Sequence, residues 1–476
     1  MNLRNRLVVC FLALAVAGAA FAAPKPKPHA RTTKGLNVPP IQYKHRMLAN
    51  GLEVYSVQDK SSPTVAIQIW YRVGSKNDPP GRSGFAHLFE HMMFKSTKNM
   101  PNEMMDRLTE DVGGYNNATT RDDATQYYEV VPSNYLETLL WAEGDRMATL
   151  EVSEKNFTSE RDVVKEEFRY RILAPPYGRF WYALEKNSYS VHPYRRPSIG
   201  SIEDLDASAL ADVQAFHRAF YRPDNAVLVV VGDFDQPQLD GWVDKYLGVV
   251  RPPDLPIPRV TVKEPTRAAT KRITEHGPNV PLPAVGMTWL IPPASHPDGA
   301  PLTVAATILA QGESSRLYES LVYRKKIAQD TQADADLRED SGLFIATITM
   351  ASGHTADEGE KALLGVIGTL YDKPVGAAEL EKAKNQIIAT ILRDRETNNG
   401  KAADIGNAVV VYHDAGEVNR GVDQLQAVTA GDIERVMRKY IRDGKPLIVR
   451  YVSDSPEKAG GNGEKHSGNK TDGGQQ

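Results

Sequence analysis

The chain has 476 residues, 41% of them hydrophobic and 25% charged, with a net charge of −3. This is the balance of an ordinary globular protein too long for one core, so two or more domains are expected. Charges of both signs are spread along the chain, which argues against a nucleic-acid binder and against a polybasic membrane anchor.

Arg4 and Arg6 precede an apolar run from Leu7 to Ala20, followed by Ala20-Phe21-Ala22, a small-x-small cleavage pattern. At about 14 residues the run falls short of the ~20 that span a bilayer. Residues 1–22 are therefore expected to be a cleavable signal peptide, which makes the protein periplasmic or secreted. Cys10, the single cysteine, lies inside the run. Cleavage near Ala22 leaves a mature chain with no cysteine and no disulfide. Residues 23–39, with Lys-Pro repeats, read as an extended spacer. No later run is long enough for a transmembrane helix.

Leu52–Val57 and Val65–Trp70 alternate like strands, and Asn50-Gly51 before them is a hairpin turn signal. Helical patterns follow at about 83–95, 102–111, 133–149 and 154–172. Hairpins mixed with long helices favour an α+β unit over a parallel Rossmann sheet. The run Arg251-Pro252-Pro253-Asp254-Leu255-Pro256-Ile257-Pro258 is the best interdomain linker. Segments on either side of it resemble each other. Asp212 to Val229 matches Asp432 to Val449 at an offset of 220, and Ile67–Trp70 matches Gly286–Trp289 at an offset of 219. A duplicated domain is expected. The fold class is α+β: two similar domains, each a mostly antiparallel sheet packed with helices, joined by a Pro-rich linker. Domain bounds are set at 40–250, 251–278 for the linker and 279–455, with residues 456–476 too polar to order themselves.

The chemistry is concentrated in His87-Leu88-Phe89-Glu90-His91. On a helix, His87 and His91 are i and i+4, so both imidazoles project from one face and can share one ion. Glu90 can reach water at that ion without being a ligand, the position of a general base. Zinc suits such nitrogen and oxygen donors, bound tetrahedrally with one place open. Phe85, Leu88, Phe89 and Met92–Phe94 make the helix largely buried, where unpaired imidazoles are costly.

A third donor is needed. The helix beginning near Ser153 carries Glu154, Glu160, Glu166 and Glu167. Glu160 and Glu167 are seven apart and nearly eclipsed, while Glu166 is turned about 100° away. One face with Glu160 and Glu167 can put one carboxylate on the metal and the other behind a ligand. The bland alternative is a charged surface helix with Arg161, Lys165 and Arg169 as partners. Helix geometry alone leaves both open.

The chain resembles the pitrilysin/insulinase family of inverted-motif zinc peptidases, the inverzincins, in its short bacterial and mitochondrial-processing-peptidase-like branch. The resemblance spans roughly residues 40–455. It rests on Leu48–Leu52, Gly84–Phe94, Gly113–Thr120, Glu160–Glu167, His192-Pro193-Tyr194, Tyr221–Asn225 and Ser314–Tyr318. It implies one zinc ion per chain, held by His87, His91 and a glutamate some 75 residues downstream. The stretch between His91 and Glu167 is 75 residues long, so Glu167 is the implied ligand, with Glu160 behind the ligands and Glu166 as the fallback. It also implies that Gly113–Thr120 is an edge strand that binds an extended peptide by strand addition, with Asn117 and Ala118 in contact with substrate. An ordinary hairpin remains the alternative there. Tyr127 and Tyr128 read as packing residues.

At the duplicated offset, Ala306, Leu309 and Ala310 stand opposite His87, Glu90 and His91, so the second domain carries no zinc set. The family's second domain also supplies an Arg and a Tyr, seven apart, that grip substrate. Here those positions fall on Val322 and Gln329, and the neighbouring Tyr323 and Arg324 do not restore the spacing. The expectation is a metalloendopeptidase that cuts unfolded peptides in an enclosed chamber. It would be the zinc-bearing subunit of a heterodimer whose zinc-less homologous partner supplies the missing pair. A homodimer or monomer is the alternative assembly. The competing function is a non-catalytic assembly or binding subunit of the same fold.

Overall fold

The computed structural model describes residues 36–454; the expected signal peptide, most of the spacer and the polar tail lie outside the described residues. Two sheets organise the chain. The first contains β1 (Lys44–Met47), β2 (Glu53–Gln58), β3 (Thr64–Tyr71), β4 (Tyr115–Thr120), β5 (Thr125–Pro132) and β6 (Ala226–Gly232), in the order β1-β2-β6-β3-β5-β4. The second contains β7 (Lys271–Gly277), β8 (Ala284–Ile291), β9 (Ala328–Asp336), β10 (Gly342–Met350) and β11 (Leu447–Ser453), in the order β7-β11-β8-β10-β9.

Without β1, the two orders superimpose strand for strand. In each sheet one pair is parallel, β2 with β6 and β7 with β11, and the others are antiparallel. This is the duplicated, mostly antiparallel α+β architecture anticipated from the repeat. The central strand β6, Ala-Val-Leu-Val-Val-Val-Gly, is buried along its whole length, as a β-branched run covered on both faces must be. Asn50-Gly51 turns β1 into β2, with Gly51 at φ +88°.

No regular element occupies residues 251–270, but β7 fills most of the remainder of the stretch assigned to the linker. Its residues Lys-Arg-Ile-Thr-Glu-His-Gly alternate weakly and stay half exposed at a sheet edge, so almost no hydrophobic signal marks the strand.

The halves exchange helices. The Asn398–Val410 helix of the second half covers the outer face of the first sheet, packing Ala402, Ile405 and Val409 among Trp70, Val227 and Val229. The Gly178–Ser188 helix of the first half covers the second sheet, packing Phe180 and Leu184 against Ala284, Leu447 and Val449. Glycine permits both contacts. A Cβ on Gly406 would overlap the Trp70 ring, and one on Gly286 would meet Leu184 Cδ1 at 2.6 Å.

The halves are also tied by a buried knot of charge. The β4–β5 turn and its counterpart, the β9–β10 turn, meet there. Lys76 Nζ lies 2.8 Å from Asp123, 2.5 Å from Glu339 and 3.5 Å from Asp340. Arg338 joins Asp122 at 3.0 Å and lies over the rings of Tyr189 and Tyr194. The Tyr194 hydroxyl donates to Asp123, whose other oxygen accepts the Glu339 amide at 3.0 Å.

Candidate metal centre

The motif helix spans Phe85–Met92 and buries Phe85, Ala86, Leu88, Phe89 and Met92 in the first core. Its polar residues are left on the side facing a cavity of about 970 Å³. The second helix of the site, Glu154–Phe168, begins at Ser153, whose side chain accepts the Asn156 amide. It packs on the motif helix and runs into a π-helical turn, Arg169–Leu173.

His87, His91 and Glu167 come together across these helices. His87 Nε2 and His91 Nε2 each lie 3.4 Å from Glu167 Oε2, and the imidazoles are nearly perpendicular at 88°. Among the described residues this is the one group of three such donors that could hold a metal ion, with its donor atoms within 4.8 Å of one another.

The residues fit zinc. Bonds of about 2.0–2.1 Å in a tetrahedron give donor–donor edges of roughly 3.3–3.4 Å, which matches the two measured separations. Glu167 Oε2 is buried and has no hydrogen-bond partner, a costly state for a carboxylate oxygen that a cation would relieve. Its other oxygen is held by Arg171 Nε at 2.8 Å, which leaves Oε2 as the donor.

Electrostatics agree. Burial, together with the neighbouring His91, lowers His87 to about 4, against the pull of Glu167, so its imidazole is neutral at pH 7. Burial also opposes charge on His91, but the carboxylates of Glu160, Glu167 and Glu90 around it raise it to about 9. The carboxylates thus call for positive charge at this spot, supplied by a proton or by a divalent cation.

Glu160 stands behind the donors. Its Oε2 lies 3.6 Å from His91 Nδ1, and its Oε1 pairs with Lys95 Nζ at 2.7 Å. Glu90 opens onto the same cavity. Burial raises its carboxyl above the ordinary value, with Glu167 adding to the effect and Thr120 and His91 opposing it. Glu166 is exposed and paired with Arg169, so its carboxylate is engaged away from the imidazoles. Lys165 pairs with Asp206 and Asp162. The salt bridges expected of a plain surface helix are therefore present, but on the faces that do not carry the donors.

β4 is the edge of its sheet, and Asn117 and Ala118 line the cavity. The Ala118 amide donates to Asn117 Oδ1 at 2.8 Å. Tyr127 is fully buried, its ring between Tyr71 and Phe94, and Tyr128 stacks edge-on with Tyr115.

Lys95 and Arg171 escaped the reading of the sequence, although each lies four residues beyond a donor, His91 and Glu167 respectively. That spacing was the available signal. In the second half, Ala306 and Leu309 are buried in the Gly299–Ala310 helix. Val322 packs on the second core, and Gln329 is exposed on β9. Neither of these two lines the cavity, nor do Tyr323 and Arg324.

Comparison with known proteins extends the picture. The family model described as insulinase (peptidase family M16) matches residues 53–175, and that of the peptidase M16 inactive domain matches residues 209–387. A zinc protease of Helicobacter pylori, PqqE, is 29% identical over 404 residues, covering 84% of this chain and 91% of that protein. A probable mitochondrial-processing peptidase subunit beta of Arabidopsis thaliana is 23% identical over 420 residues, 86% of this chain and 78% of that protein. The crystal structure of a protease from Helicobacter pylori matches with a TM-score of 0.83 at 28% identity, over 86% of this chain and 99% of that one.

Proposed function

We propose that this chain, which belongs to the M16 (insulinase) family of peptidases, is a zinc-dependent endopeptidase acting on unfolded peptides. The observation that carries the reading is the convergence of His87 Nε2, His91 Nε2 and Glu167 Oε2 at 3.4 Å separations. His87, His91 and Glu167 would hold the zinc, which would supply Lewis acidity to polarise a peptide carbonyl and to lower the pKa of water so that hydroxide is available near pH 7.

The protein's own groups do the rest. Glu90 takes the proton of the attacking water and hands it to the departing amine, a role suited to a carboxyl whose pKa burial has raised. Glu160, itself held by Lys95, orients the His91 ring. Arg171 keeps one oxygen of Glu167 engaged, so the other faces the imidazoles. The free edge of β4 binds an extended peptide through main-chain hydrogen bonds, with Asn117 and Ala118 in contact with it. A strand-binding edge accepts unfolded segments and rejects folded ones.

The same reading makes the chain the zinc-bearing subunit of a heterodimer. Val322 and Gln329 cannot grip a substrate as an Arg and a Tyr do, and a zinc-less homologous partner would supply that pair. The pattern of Arg4, Arg6, the apolar run and Ala20-Phe21-Ala22 supports export to the periplasm or beyond. No helix among the described residues is long and apolar enough to cross a membrane. A non-catalytic assembly subunit has no need of three convergent donors with a raised carboxyl beside them.

The test is metal analysis of the purified protein combined with a peptide-library digest, with and without a zinc-less homologue. One zinc per chain and cleavage abolished by chelation are expected. Full activity of the chain alone would remove the heterodimer, and a zinc-loaded protein inert in both assays would remove the peptidase.

A further inference from the structure

The first half is plugged at a place where the second half is open. Leu52, in the turn between β1 and β2, is fully buried in the first core. Asn50 beside it donates to the Leu247 and Val250 carbonyls at 2.8 and 2.9 Å, and a Cβ on Gly51 would stand 2.6 Å from Asp224 Cβ. β7 pairs with β11 as β2 pairs with β6, with Lys271 opposite Leu447 where Glu53 is opposite Val227. Thr270 therefore takes the place of Leu52. At the 220-residue offset Gly444 takes that of Asp224, and Ile441 that of Tyr221. No described strand precedes β7 as β1 precedes β2, and no described helix follows β11 as the Gln236–Tyr246 helix follows β6. The place of the plug is a cavity of about 220 Å³ with Thr270, Ile441 and Gly444 in its wall.

One donor of this wall has no acceptor. Trp289 is 1% exposed, and its Nε1 is buried without a hydrogen-bond partner. An indole N–H can only donate, and leaving it unpaired away from water is costly. Trp289 Cδ1, the carbon bonded to Nε1, would lie 3.4 Å from a Cβ on Gly444, so the N–H edge of the ring borders the Gly444 side of the cavity. Buried Ile367, Ile441 and Ile448 make the interior apolar, while exposed Arg272, Arg442 and Lys445 make the rim cationic. No acidic residue lines it. Arg272 and Arg442 are paired with Glu360 and Asp443. The Lys445 ammonium makes no hydrogen bond or salt bridge among the described residues, and the Tyr371 hydroxyl on the same wall makes no hydrogen bond. Ile441 and Arg442 reach the cavity from a π-helical turn, Met437–Arg442, a feature that recurs at functional sites.

We propose that this cavity is a binding site for a small apolar carboxylate, either a free acid or the C-terminal residue of a peptide. The carboxylate accepts from Trp289 Nε1 and Lys445 Nζ, and the apolar body packs on Ile367, Ile441 and Ile448. Donors without acceptors and cations without lining acids favour an anion over a neutral or cationic guest. The volume is below the roughly 300–1,000 Å³ of a drug-sized site and equals about seven waters at ~30 Å³ each, the space of one side chain with its carboxylate. The cavity shares no residue with that of the metal donors, so the site stands apart from the peptidase reading.

The experiment reads Trp289 directly. Fluorotryptophan-labelled protein gives one fluorine resonance for each of its five tryptophans, and Trp289→Phe identifies the relevant one. The background is Glu90→Gln, which spares peptide ligands. Hydrocinnamate is expected to move the Trp289 resonance saturably. It should bind at least tenfold more tightly than hydrocinnamyl alcohol, and Lys445→Gln should weaken it about tenfold, the effect of one charge-assisted hydrogen bond. Ile441→Tyr, which restores the residue of the first half, should abolish the shift while the other four resonances stay in place. The peptide Ser-Gly-Ser-Phe, compared with its C-terminal amide, separates the sources. A shift by the free peptide assigns the site to chain ends, and a shift by hydrocinnamate alone assigns it to free acids. No saturable shift with either ligand, equal affinity for acid and alcohol, or affinity unchanged in Lys445→Gln overturns the proposal.

Discussion

Asp78 caps the helix that carries the metal donors: its Oδ1 accepts the Ala86 amide at 2.8 Å and its Oδ2 accepts the Gly84 amide at 2.7 Å. The first amides of a helix have no partner within it, and a buried carboxylate there satisfies them and complements the helix dipole. Removing the cap by Asp78→Ala is expected to cost about 1–2 kcal/mol, seen as a lower urea midpoint. Burial pushes the Asp78 carboxyl up to about 7, against the backbone hydrogen bonds that favour its charge. A raised acid contributes stability that is fully present below its unfolded value near 4 and is lost as pH rises through 7. Asp78→Asn should therefore gain on the wild type between pH 4 and 7 and keep a constant gap above that range. A gap independent of pH would refute the assignment.

Substitutions at the centre should separate holding the metal from using it. Glu167→Gln and His87→Ala each remove one of three donors, and both are expected to lose zinc on dialysis. Glu90→Gln keeps all three donors but offers no base. It should retain one zinc per chain while turnover falls by at least 10²–10⁴-fold, the range of general base catalysis. Zinc titration beside a fluorogenic peptide assay distinguishes the two outcomes. Hydrolysis retained in Glu90→Gln would transfer the base role elsewhere.

Glu160 is a separate case because it touches His91 and not the metal position. Glu160→Ala is expected to weaken zinc binding by about 10–100-fold, as loss of a ligand's outer partner does. Lys95→Met should produce a smaller loss in the same direction, since Lys95 acts through Glu160. Chelator competition measures both. An effect of Lys95→Met equal to or larger than that of Glu160→Ala would contradict this order.

The histidine pair was legible because the i, i+4 repeat is a property of one helix, and the two imidazoles are where that repeat puts them. Glu160 and Glu167 were harder to separate. They share a face, and only their different heights against the motif helix send Glu167 to both Nε2 atoms and Glu160 to Nδ1 of His91. That the two halves build similar, mostly antiparallel sheets could be anticipated from the internal repeat, but the order of strands within them could not. Nor could the helix exchange. The apolar pattern of residues 398–410 shows a helix with a buried face but not which sheet it covers, and its contacts with Trp70 lie more than 300 residues away. The same holds for the knot at Lys76, whose partners come from Asp123, Glu339 and Asp340.

That knot makes the last prediction. Lys76 is 7% exposed and faces three carboxylates. Burial disfavours charge on Glu339, yet His413 and Lys76 outweigh it and hold its carboxyl below the ordinary value. Asp340 is held low by the His192 imidazole, whose Nε2 is 3.5 Å away, and by Lys76, against the effect of burial. Acids held low contribute stability above their unfolded values near 4, and lose it as pH falls below that range. Lys76→Met keeps the volume but strands the carboxylates, so a loss of about 3–5 kcal/mol is expected near pH 7. The loss should shrink as pH falls from about 4 through the lowered values of Glu339 and Asp340, where their charge disappears. Adding Asp123→Asn should recover part of it, because contacting residues are not additive. Urea unfolding of the two single variants and the double variant closes this cycle. Independent, additive effects would show that Lys76 and Asp123 do not act as one junction between the halves.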